Sequence, residues 1–337
     1  MSRSLSTRGI EVSPLAAGDL HVAAALLAAS QRRLRAARPE LPARYEEPPT
    51  LEHVLAELMA HDGAHAVKLL LDGRPAGFLA GYPRLEPIWG RAAWSPIEGC
   101  ALADGVDPEH VRDLYAAWAE HFVRRGFFRQ YVHAPVDDPA FEAAWFRTGF
   151  GQMQAHAFRD LELHAAPPAG CQVRRVRPDE IELVEPLIPL IALALMRPPA
   201  FAMRLPEELA SYRGSWEEEL SEPGAHHWVA VEDGRALAMA TFYLAEPGPM
   251  VPDDAWELAV AMTLPEARGR GLMRSLLAAG FGEAREAGAR WCVTDWRTAS
   301  LPTHRSWTGL GFRPSHHRLH RHVDERIAWT EGALPSV

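Results

Sequence analysis

The stretch Ala261-Met-Thr-Leu-Pro-Glu-Ala-Arg268-Gly-Arg-Gly-Leu-Met273-Arg-Ser-Leu-Leu277 decides the fold of this 337-residue chain. An apolar strand runs into a glycine-containing turn, and the turn opens a helix. Free backbone N–H groups at a helix start, together with the helix dipole, form an anion site. Three cations, Arg268, Arg270 and Arg274, lie in or beside the first turn. Positive charges are unfavourable at the positive end of the helix dipole, so their presence there indicates a bound anion that offsets them. An arginine-rich helix start that faces water is the alternative interpretation.

The two halves of the chain share landmarks at a nearly constant spacing. A hairpin turn Asp-Gly-Arg, a motif Trp-x-x-x-Gly-Phe and a glycine that ends a helical run each occur twice. The pairs lie 161 or 162 residues apart and are Asp72 and Asp233, Trp145 and Trp307, and Gly126 and Gly288. This repetition predicts two copies of one α/β unit, at residues 1–163 and 172–337. Residues 164–171, which are rich in alanine and proline, have linker composition.

The second half shows the order of elements within one copy. Its pattern predicts a hairpin over 229–243, a strand over 255–263 and a long amphipathic helix over 269–287. Ahead of these, it predicts a proline-bent helix over 178–195 and a second helix over 206–220. The order predicts an α/β (α+β) fold in which each unit is a mixed, mostly antiparallel sheet with helices on both faces.

Composition and charge exclude several classes of protein. Apolar residues make up 47% and charged residues 23%, as in globular proteins, and no apolar run is long enough to span a membrane. A net charge of −9 disfavours a nucleic-acid partner. The three cysteines, Cys100, Cys171 and Cys292, have no CxxC spacing, and the N-terminus lacks the apolar core of a secretory signal. We therefore expect a cytoplasmic protein.

The glycine turn does not match two common phosphate-binding motifs. A Walker loop requires Gly-Lys-Ser/Thr, and a dinucleotide fingerprint requires a third glycine where Arg274 stands. The segment instead resembles motif A of the GNAT superfamily of acyl-CoA N-acyltransferases, Arg/Gln-x-x-Gly-x-Gly/Ala. Arg268 and Gly271 match this motif, and Met273 stands where the family prefers a small residue.

Flanking residues extend the resemblance over about residues 172–323. Leu-Pro-Glu precedes motif A, and Gly311-Phe312 follows an aromatic residue, Trp307, by four positions. The doubled arrangement resembles tandem GNAT proteins, and in this chain the C-terminal copy carries motif A whereas the N-terminal copy is degenerate. Acetyl-CoA is the cofactor that this resemblance implies.

The resemblance also implies which residues bind the cofactor. The loop would hold the coenzyme A pyrophosphate, the edge of the preceding strand would pair with the pantetheine amides, and a splay from the next strand would admit the thioester. The residues concerned are Ala261, Met262, Thr263, Arg268, Gly269, Arg270, Gly271, Leu272 and Met273, with Ser300 where the family often has an asparagine. The equivalent segment of the first half, residues 106–111, has no glycine and carries Asp107 and Glu109. We therefore expect the N-terminal unit to bind no coenzyme A and to act as a scaffold or to wall one side of the acceptor site.

Acyl transfer to an amine requires a base, a stabilised oxyanion and a protonated thiolate. Glu257 lies on the strand before motif A, where some GNAT enzymes carry a general-base glutamate; a solvent-facing carboxylate is the alternative. Trp307 occupies the position where GNAT enzymes often place a thiolate-protonating tyrosine. An indole N–H gives up no proton near neutral pH, so Trp307 would hydrogen-bond the sulfur or pack on the coenzyme, and the thiolate would leave unprotonated or take a proton from water. His304 is a candidate substitute acid, or an ordinary surface histidine.

Acceptor-binding candidates come from two segments. Asp295, at the end of a short strand, would bind an ammonium group or cap the next turn. Arg197 and Phe201 lie in the segment that borders the acceptor cleft in GNAT folds. The four histidines between positions 316 and 322 have no carboxylate or cysteine at ligand spacing, so we expect no metal site.

These observations predict an acyl-CoA-dependent N-acyltransferase, in particular an acetyltransferase, that acts on a small amine. Cys292 lies inside a strand, so we expect direct attack in a ternary complex rather than an acyl-cysteine route. A non-catalytic acyl-CoA sensor or interaction module is the alternative, because Trp307 and Met273 depart from the family at functional positions. The identity of the acceptor, the acyl length and the oligomeric state stay open.

Overall fold

The structure is a computed structural model that describes residues 9–330. The first half of the chain forms β1 (Ile10–Pro14), α1 (Leu20–Ala37), α2 (Pro48–Ala60), β2 (His65–Leu71), β3 (Arg74–Glu86), β4 (Gly90–Trp94), β5 (Cys100–Leu102), α3 (Val111–Val123), β6 (Arg129–Pro135), α4 (Pro139–Arg147) and β7 (Gly151–Asp160). The second half forms β8 (Gln172–Arg175), α5 (Ile181–Val184), α6 (Leu190–Met196), α7 (Pro206–Leu220), β9 (His226–Glu232), β10 (Arg235–Leu244), β11 (Ala255–Thr263), α8 (Leu272–Glu286), β12 (Trp291–Arg297), α9 (Leu301–Gly309), β13 (Arg313–His322) and α10 (Ile327–Thr330).

The chain forms two compact units whose boundaries differ from the boundaries of the repeat. One unit comprises residues 1–154 together with 315–337, and the other comprises residues 155–314. The first unit therefore receives its last strand, β13, from the end of the chain, and the second unit contains most of β7. The sequence-based boundaries at 163 and 172 describe the repeat and stay a prediction about domain organisation.

Each unit contains a mixed sheet with one clearly parallel pair. In the first unit the strand order is β1-β2-β3-β4-β6-β13, with β5 also paired to β3, and β4 runs parallel to β6. In the second unit the order is β7-β12-β11-β10-β9-β8, and β11 runs parallel to β12. The remaining pairs with a defined register are antiparallel, from β1–β2 to β8–β9. The predicted mixed, mostly antiparallel α/β fold is confirmed.

The repeated landmarks correspond to equivalent turns. Asp72 and Gly73 have positive φ values of 48° and 76°, and Asp233 and Gly234 have values of 49° and 76°. Two consecutive residues with positive φ are the mark of a type I′ hairpin, which connects β2 to β3 and β9 to β10. The two Asp-Gly turns of the predicted repeat therefore have the same backbone conformation.

Helices cover both faces of the sheet in the first unit. The buried ring of Phe78 on β3 packs with residues of α1 and α2, whereas its neighbour Leu79 packs with residues of α3 and α4. Successive residues of a strand point to opposite faces, so this split places a helical layer on each side. Trp118 and Trp145 are fully buried in the α3–α4 layer.

Helix α8 forms the centre of the core in the second unit. Leu272, Leu276 and Phe281 on its inner face are almost completely buried. Gly280 permits close packing, because a Cβ at that position would lie 2.3 Å from the ring of Phe242 on β10. This packing fixes the start of α8, and therefore the glycine turn before it, against the sheet.

Two helices differ from their predictions. The prediction of a single bent helix over 178–195 is wrong, because the structure has two short helices, α5 and α6. Pro186 and Pro189 lie between them, and prolines interrupt helical hydrogen bonding. Helix α8 begins at Leu272 rather than at Gly269, because Gly269 and Gly271 adopt left-handed conformations. Within residues 9–330, no helix is both long enough and apolar enough to cross a membrane.

Candidate active site

The turn between β11 and α8 has the geometry of an anion-binding loop. Gly269 and Gly271 have φ values of 76° and 81°. A Cβ at either position would meet no atom within 4 Å, so the backbone conformation, and not crowding, requires glycine. Gly271 is the N-cap residue of α8, and no side chain caps the helix.

The loop presents an unbroken series of free backbone N–H groups. Arg268 N–H bonds to the Pro265 carbonyl at 3.4 Å, and Ser275 N–H bonds to the Gly271 carbonyl at 3.2 Å. Between them, the N–H groups of residues 269–274 have no hydrogen-bond acceptor within the described part of the chain. Unpaired amide groups at a helix start are satisfied by a side chain, by water or by a ligand, and here no side chain takes that role.

The cations around the loop fall into two groups. Arg270 is held by Glu232 at the end of β9, with an Nη1–Oε2 distance of 3.0 Å. Arg268 and Arg274 are exposed and form no ion pair with any residue in 9–330. The first turn of α8 contains no acidic residue. The exposed turn and its flanks therefore carry six free backbone amides and two unpaired guanidinium groups.

Strand β11 has a free edge beside this loop. β12 pairs with β11 at only three positions, and the last of these joins Glu257 to Val293. Just beyond, the Thr294 hydroxyl donates to the Leu258 carbonyl at 2.8 Å, and Ala259 is skipped in the register with β10. From Val260 to Thr263, β10 is the single pairing partner of β11 among the residues that the structure describes. The two strands thus diverge after Glu257 and leave an open edge that leads to the loop.

Glu257 lies at the point of divergence. Its side chain is half-buried, and burial raises the pKa of its carboxyl group. The nearby carboxylates of Asp295 and Glu246 raise that pKa further, because like charges disfavour ionisation. A carboxyl group with a raised pKa is a better proton acceptor than an ordinary surface glutamate.

Asp295 lies on the next strand, close to Glu257. Its carboxylate is partly exposed and lies 4.0 Å from Nδ1 of His156 on β7. The proximity of Glu246 and Asp295 to Glu257 gives this part of the second unit a negative potential, which favours a cationic ligand. The sequence did not indicate Glu246 or His156, because neither belongs to a motif and both approach the site only through the fold.

Cys292 and Trp307 are both buried side chains. Burial raises the pKa of the Cys292 thiol well above its usual range, and the thiol is therefore a poor nucleophile. Trp307 is 9% exposed and packs edge-on against Phe312, with ring centroids 5.6 Å apart. Its indole N–H has no hydrogen-bond acceptor in residues 9–330. The structure thus places Trp307 in the core, on the helix that follows the open edge.

Three further side chains lie on β12 and α9. His304 is partly exposed, and its ring lies 5.9 Å from that of Trp296. Trp296, which the sequence did not indicate among eleven tryptophans, is 3% exposed, and its indole N–H has no acceptor within the described residues. Ser300 is the N-cap residue of α9, and its hydroxyl lies 2.7 Å from that of Thr303.

The segment after α6 presents apolar and cationic side chains to solvent. α6 packs against β11, and Ala202 N–H bonds back to the Leu195 carbonyl at 2.8 Å. Phe201 has a φ of 44° and is 70% exposed. A bulky residue with positive φ is conformationally strained, and such strain is found mainly at functional sites. Arg197, at the end of α6, is also exposed.

The equivalent loop of the first half has different chemistry. Asp107 accepts a hydrogen bond from the backbone N–H of Glu109 at 3.0 Å, so a carboxylate of the chain occupies this helix start. Glu109 forms ion pairs with Arg147 and Arg112, and Asp104 forms one with Arg33. The absence of coenzyme A binding in the first unit stays a prediction. The acidic side chains of this loop support that prediction, because they would repel a diphosphate.

The histidine-rich strand β13 has ordinary structural contacts. His317 pairs with Glu142 at 2.7 Å, and His320 stacks on Tyr131 with ring centroids 4.7 Å apart. Burial lowers the pKa of His316 well below its usual value. Within residues 9–330, no group of three or more His, Cys, Asp or Glu side chains is arranged to hold a metal ion.

Comparison with known proteins identifies the region that contains the loop. Residues 192–312 match the model of the acetyltransferase (GNAT) family, and this range falls within the second compact unit. No curated protein sequence matches the chain significantly.

Two solved structures share the fold over 94–95% of this chain. A GCN5-related N-acetyltransferase from Sphaerobacter thermophilus is 16% identical, with a TM-score of 0.58 over 94% of this chain and 96% of the other. A glucosamine N-acetyltransferase region of a fungal multi-domain β-N-acetylglucosaminidase is 15% identical, with a TM-score of 0.54, over 95% of this chain and 39% of the other. A tandem GNAT protein from the clavulanic acid biosynthesis pathway is 19% identical, with a TM-score of 0.49, over 94% and 98% of the two chains.

Proposed function

Because residues 192–312 match the acetyltransferase (GNAT) family and the chain shares the fold of a GCN5-related N-acetyltransferase, we propose that this protein transfers an acyl group from acyl-CoA, in particular acetyl-CoA, to a small amine. The observation that carries the proposal is the series of free amides at residues 269–274, beside two unpaired arginines and the open edge of β11. Each part of this arrangement suits one part of coenzyme A.

The residues present fit the cofactor in charge and in shape. The amides of residues 269–274, with Arg268 and Arg274, would hold the diphosphate, since a helix N-terminus favours anions. The edge of β11 from Val260 to Thr263 would pair with the pantetheine amides as an added strand does. The cofactor would supply an acyl group activated as a thioester.

Glu257 is the proposed general base. Its half-buried carboxylate lies where β11 and β12 diverge, and its raised pKa suits proton transfer from an amine. Asp295 and Glu246 would attract the ammonium form of the acceptor before it loses that proton. Arg197 and Phe201 would line the acceptor side, because their segment follows a helix that packs on β11.

Transfer would proceed by direct attack in a ternary complex. Cys292 is buried and its raised pKa keeps it protonated, so it does not provide an acyl-cysteine route. Trp307 supplies no proton to a departing thiolate. The proton would come from His304, from water, or from none if coenzyme A leaves as the thiolate. The three free cysteines, Cys100, Cys171 and Cys292, suit a reducing cytoplasm.

A panel of small amines tests the proposal. The purified chain is incubated with acetyl-CoA and each amine, and thiol release is followed with a chromogenic reagent. We expect acceptor-dependent release that falls by roughly 10²–10⁴-fold in Glu257→Gln, the usual contribution of a general base. Glu286→Gln, an exposed change at the far end of α8, is the matched control and should retain full activity.

A second function, acyl-CoA binding without catalysis, is favoured by one observation. Trp307 is packed in the core and gives up no proton, so the position that the family uses for thiolate protonation is inactive here. In that case acetyl-CoA would bind with measurable affinity, while no amine of the panel would release thiol above the rate without acceptor.

A further inference from the structure

The first unit contains a cavity that the proposed acyltransferase function does not use. Its volume is about 330 Å³, at the lower end of the range for small-molecule pockets. The walls come from α1, from β5 and the loop after it, from the end of β6 and from the start of α4. Buried apolar side chains, including Leu27, Leu102 and Phe141, form much of the lining.

A buried amide group in this lining has no protein partner. Gln31, on the inner face of α1, is 3% exposed and lines the cavity. Its side-chain amide makes no hydrogen bond with any residue between 9 and 330. Buried polar groups in folded proteins are nearly always hydrogen-bonded, so this amide, which lines the cavity, bonds to water or to another molecule inside it. It offers both a donor and an acceptor to that molecule.

The second buried polar group of the cavity is uncharged. Burial lowers the pKa of His133 to about 3, so the imidazole is neutral at physiological pH. Its Nδ1–H donates to the Ser95 carbonyl at 2.9 Å, which fixes the tautomer. The buried lining therefore carries no net charge that would attract an ionic ligand.

Two ion pairs and one helix cap engage the charged residues at the rim. Arg33 on α1 pairs with Asp104 and donates to the Leu102 carbonyl at 3.2 Å. Arg38, just after α1, pairs with Asp137 on the loop before α4. These two ion pairs join α1 to the loops on either side of the cavity. The remaining rim carboxylate, Asp138, accepts a hydrogen bond from the Phe141 N–H at 3.0 Å at the start of α4.

We propose that this cavity binds a small uncharged molecule that carries an amide or a hydroxyl group on a largely apolar frame. Gln31 hydrogen-bonds to the polar group, and the apolar lining encloses the rest. Coenzyme A does not fit this description, because the loop beside the cavity carries Asp107 and Glu109, which repel a diphosphate. The ligand is therefore distinct from the cofactor proposed for the second unit.

Uncharged and charged probes of similar shape test the proposal on the full chain. The probes are benzamide and hexanamide, with benzoate and benzylamine as their anionic and cationic counterparts. Binding is followed by ligand-observed NMR and calorimetry, with and without saturating coenzyme A. We expect one or both amides to bind, the charged counterparts to bind at least tenfold more weakly, and coenzyme A to leave amide binding unchanged.

Two variants locate the probe in the cavity. Gln31→Leu removes the amide at similar volume and should weaken amide binding by roughly tenfold, the value of about one net hydrogen bond. Ala37→Phe places a ring at the exposed mouth and should abolish binding. Ala36→Phe adds the same ring at a neighbouring position outside the lining and should bind as the wild type does.

Several outcomes would overturn the proposal. These are binding of neither amide, equal or tighter binding of benzoate or benzylamine, and displacement of a bound amide by coenzyme A. Unchanged amide binding in both Gln31→Leu and Ala37→Phe would also overturn it. Thermal melting of each variant distinguishes loss of binding from loss of fold, and Ala37→Phe keeps the test decisive if Gln31→Leu does not fold.

Discussion

Replacing Gly271 by alanine tests whether the loop binds the diphosphate of acetyl-CoA, because the change acts on a single backbone angle, the φ of residue 271. Gly271 has a φ of 81° and is exposed, and an added Cβ would meet no atom within 4 Å. The substitution therefore creates no clash and acts only through the cost of a left-handed conformation, roughly 1–2 kcal/mol for an L-residue. A loop of the Gly271→Ala variant that leaves the left-handed conformation at this residue loses the geometry that binding requires, so the conformational cost is measured as a loss of affinity.

The expected loss of affinity follows from that cost. A factor of ten in affinity corresponds to about 1.4 kcal/mol, so Gly271→Ala should weaken acetyl-CoA binding by roughly 5- to 30-fold. Isothermal titration calorimetry with acetyl-CoA measures the change. S-acetylpantetheine, which lacks the diphosphate, should bind the variant and the wild type equally.

A second glycine of the same helix provides the control. Gly282 lies inside α8 with no positive φ, and a Cβ there also meets open space. Gly282→Ala should leave acetyl-CoA affinity unchanged and stabilise the fold by roughly 0.5–1 kcal/mol. Wild-type affinity in Gly271→Ala, or an equal loss for S-acetylpantetheine, would refute the role given to the loop.

The remaining predictions concern catalysis, stoichiometry and stability. Since the pKa of Glu257 is raised, activity should fall with decreasing pH at a value above that of an ordinary glutamate, and Asp295→Asn should move this acid limb of the kcat/KM profile to lower pH; an unmoved limb would argue against Glu257 as the base. Calorimetry should find one acetyl-CoA per chain and none after Arg268→Glu with Gly271→Asp, whereas two per chain would show that the first unit also binds the cofactor. Glu283 accepts hydrogen bonds from Arg175, His226 and Trp228, which lower its pKa against the opposing effect of burial. Glu283→Gln should therefore cost about 1–3 kcal/mol in urea unfolding at pH 7, and this difference should shrink as pH falls through the lowered pKa; a pH-independent difference would contradict the ionic contribution.

Local sequence patterns predicted most of the fold. The two Asp-Gly turns, helix α7 and strand β11 lie where turn chemistry and hydrophobic periodicity placed them. Helix α8 begins later than expected because its glycines are left-handed, a feature that their spacing alone does not distinguish from the first helical turn. Pro186 and Pro189 separate two helices in a segment that the apolar pattern predicted to be one helix.

The sequence pattern did not predict which strands belong to each unit. β7 and β13 stand in equivalent positions of the two repeats, 162 residues apart, and both are strands of ten residues. Hydrophobic alternation identifies each as a strand but does not select its partner. β13 pairs with β6 of the first half, a choice that depends on long-range packing.

Sequence reasoning indicated some parts of the candidate site and missed others. The loop and the position of Glu257 follow from a contiguous motif, so the sequence was sufficient to indicate them. The pairing of Arg270 with Glu232, the burial of Trp307 and the proximity of Glu246 to Glu257 depend on residues that are distant in sequence. The cavity at Gln31 has no sequence signature, because it arises from elements that meet only in the folded unit.

A crystal structure with acetyl-CoA bound tests the central claim most directly. We predict diphosphate oxygens at hydrogen-bond distance, roughly 2.7–3.2 Å, from backbone nitrogens between residues 269 and 274. We also predict that the first unit holds no coenzyme A at residues 106–111. A diphosphate bound elsewhere, with the amides of 269–274 still facing solvent, would contradict the account.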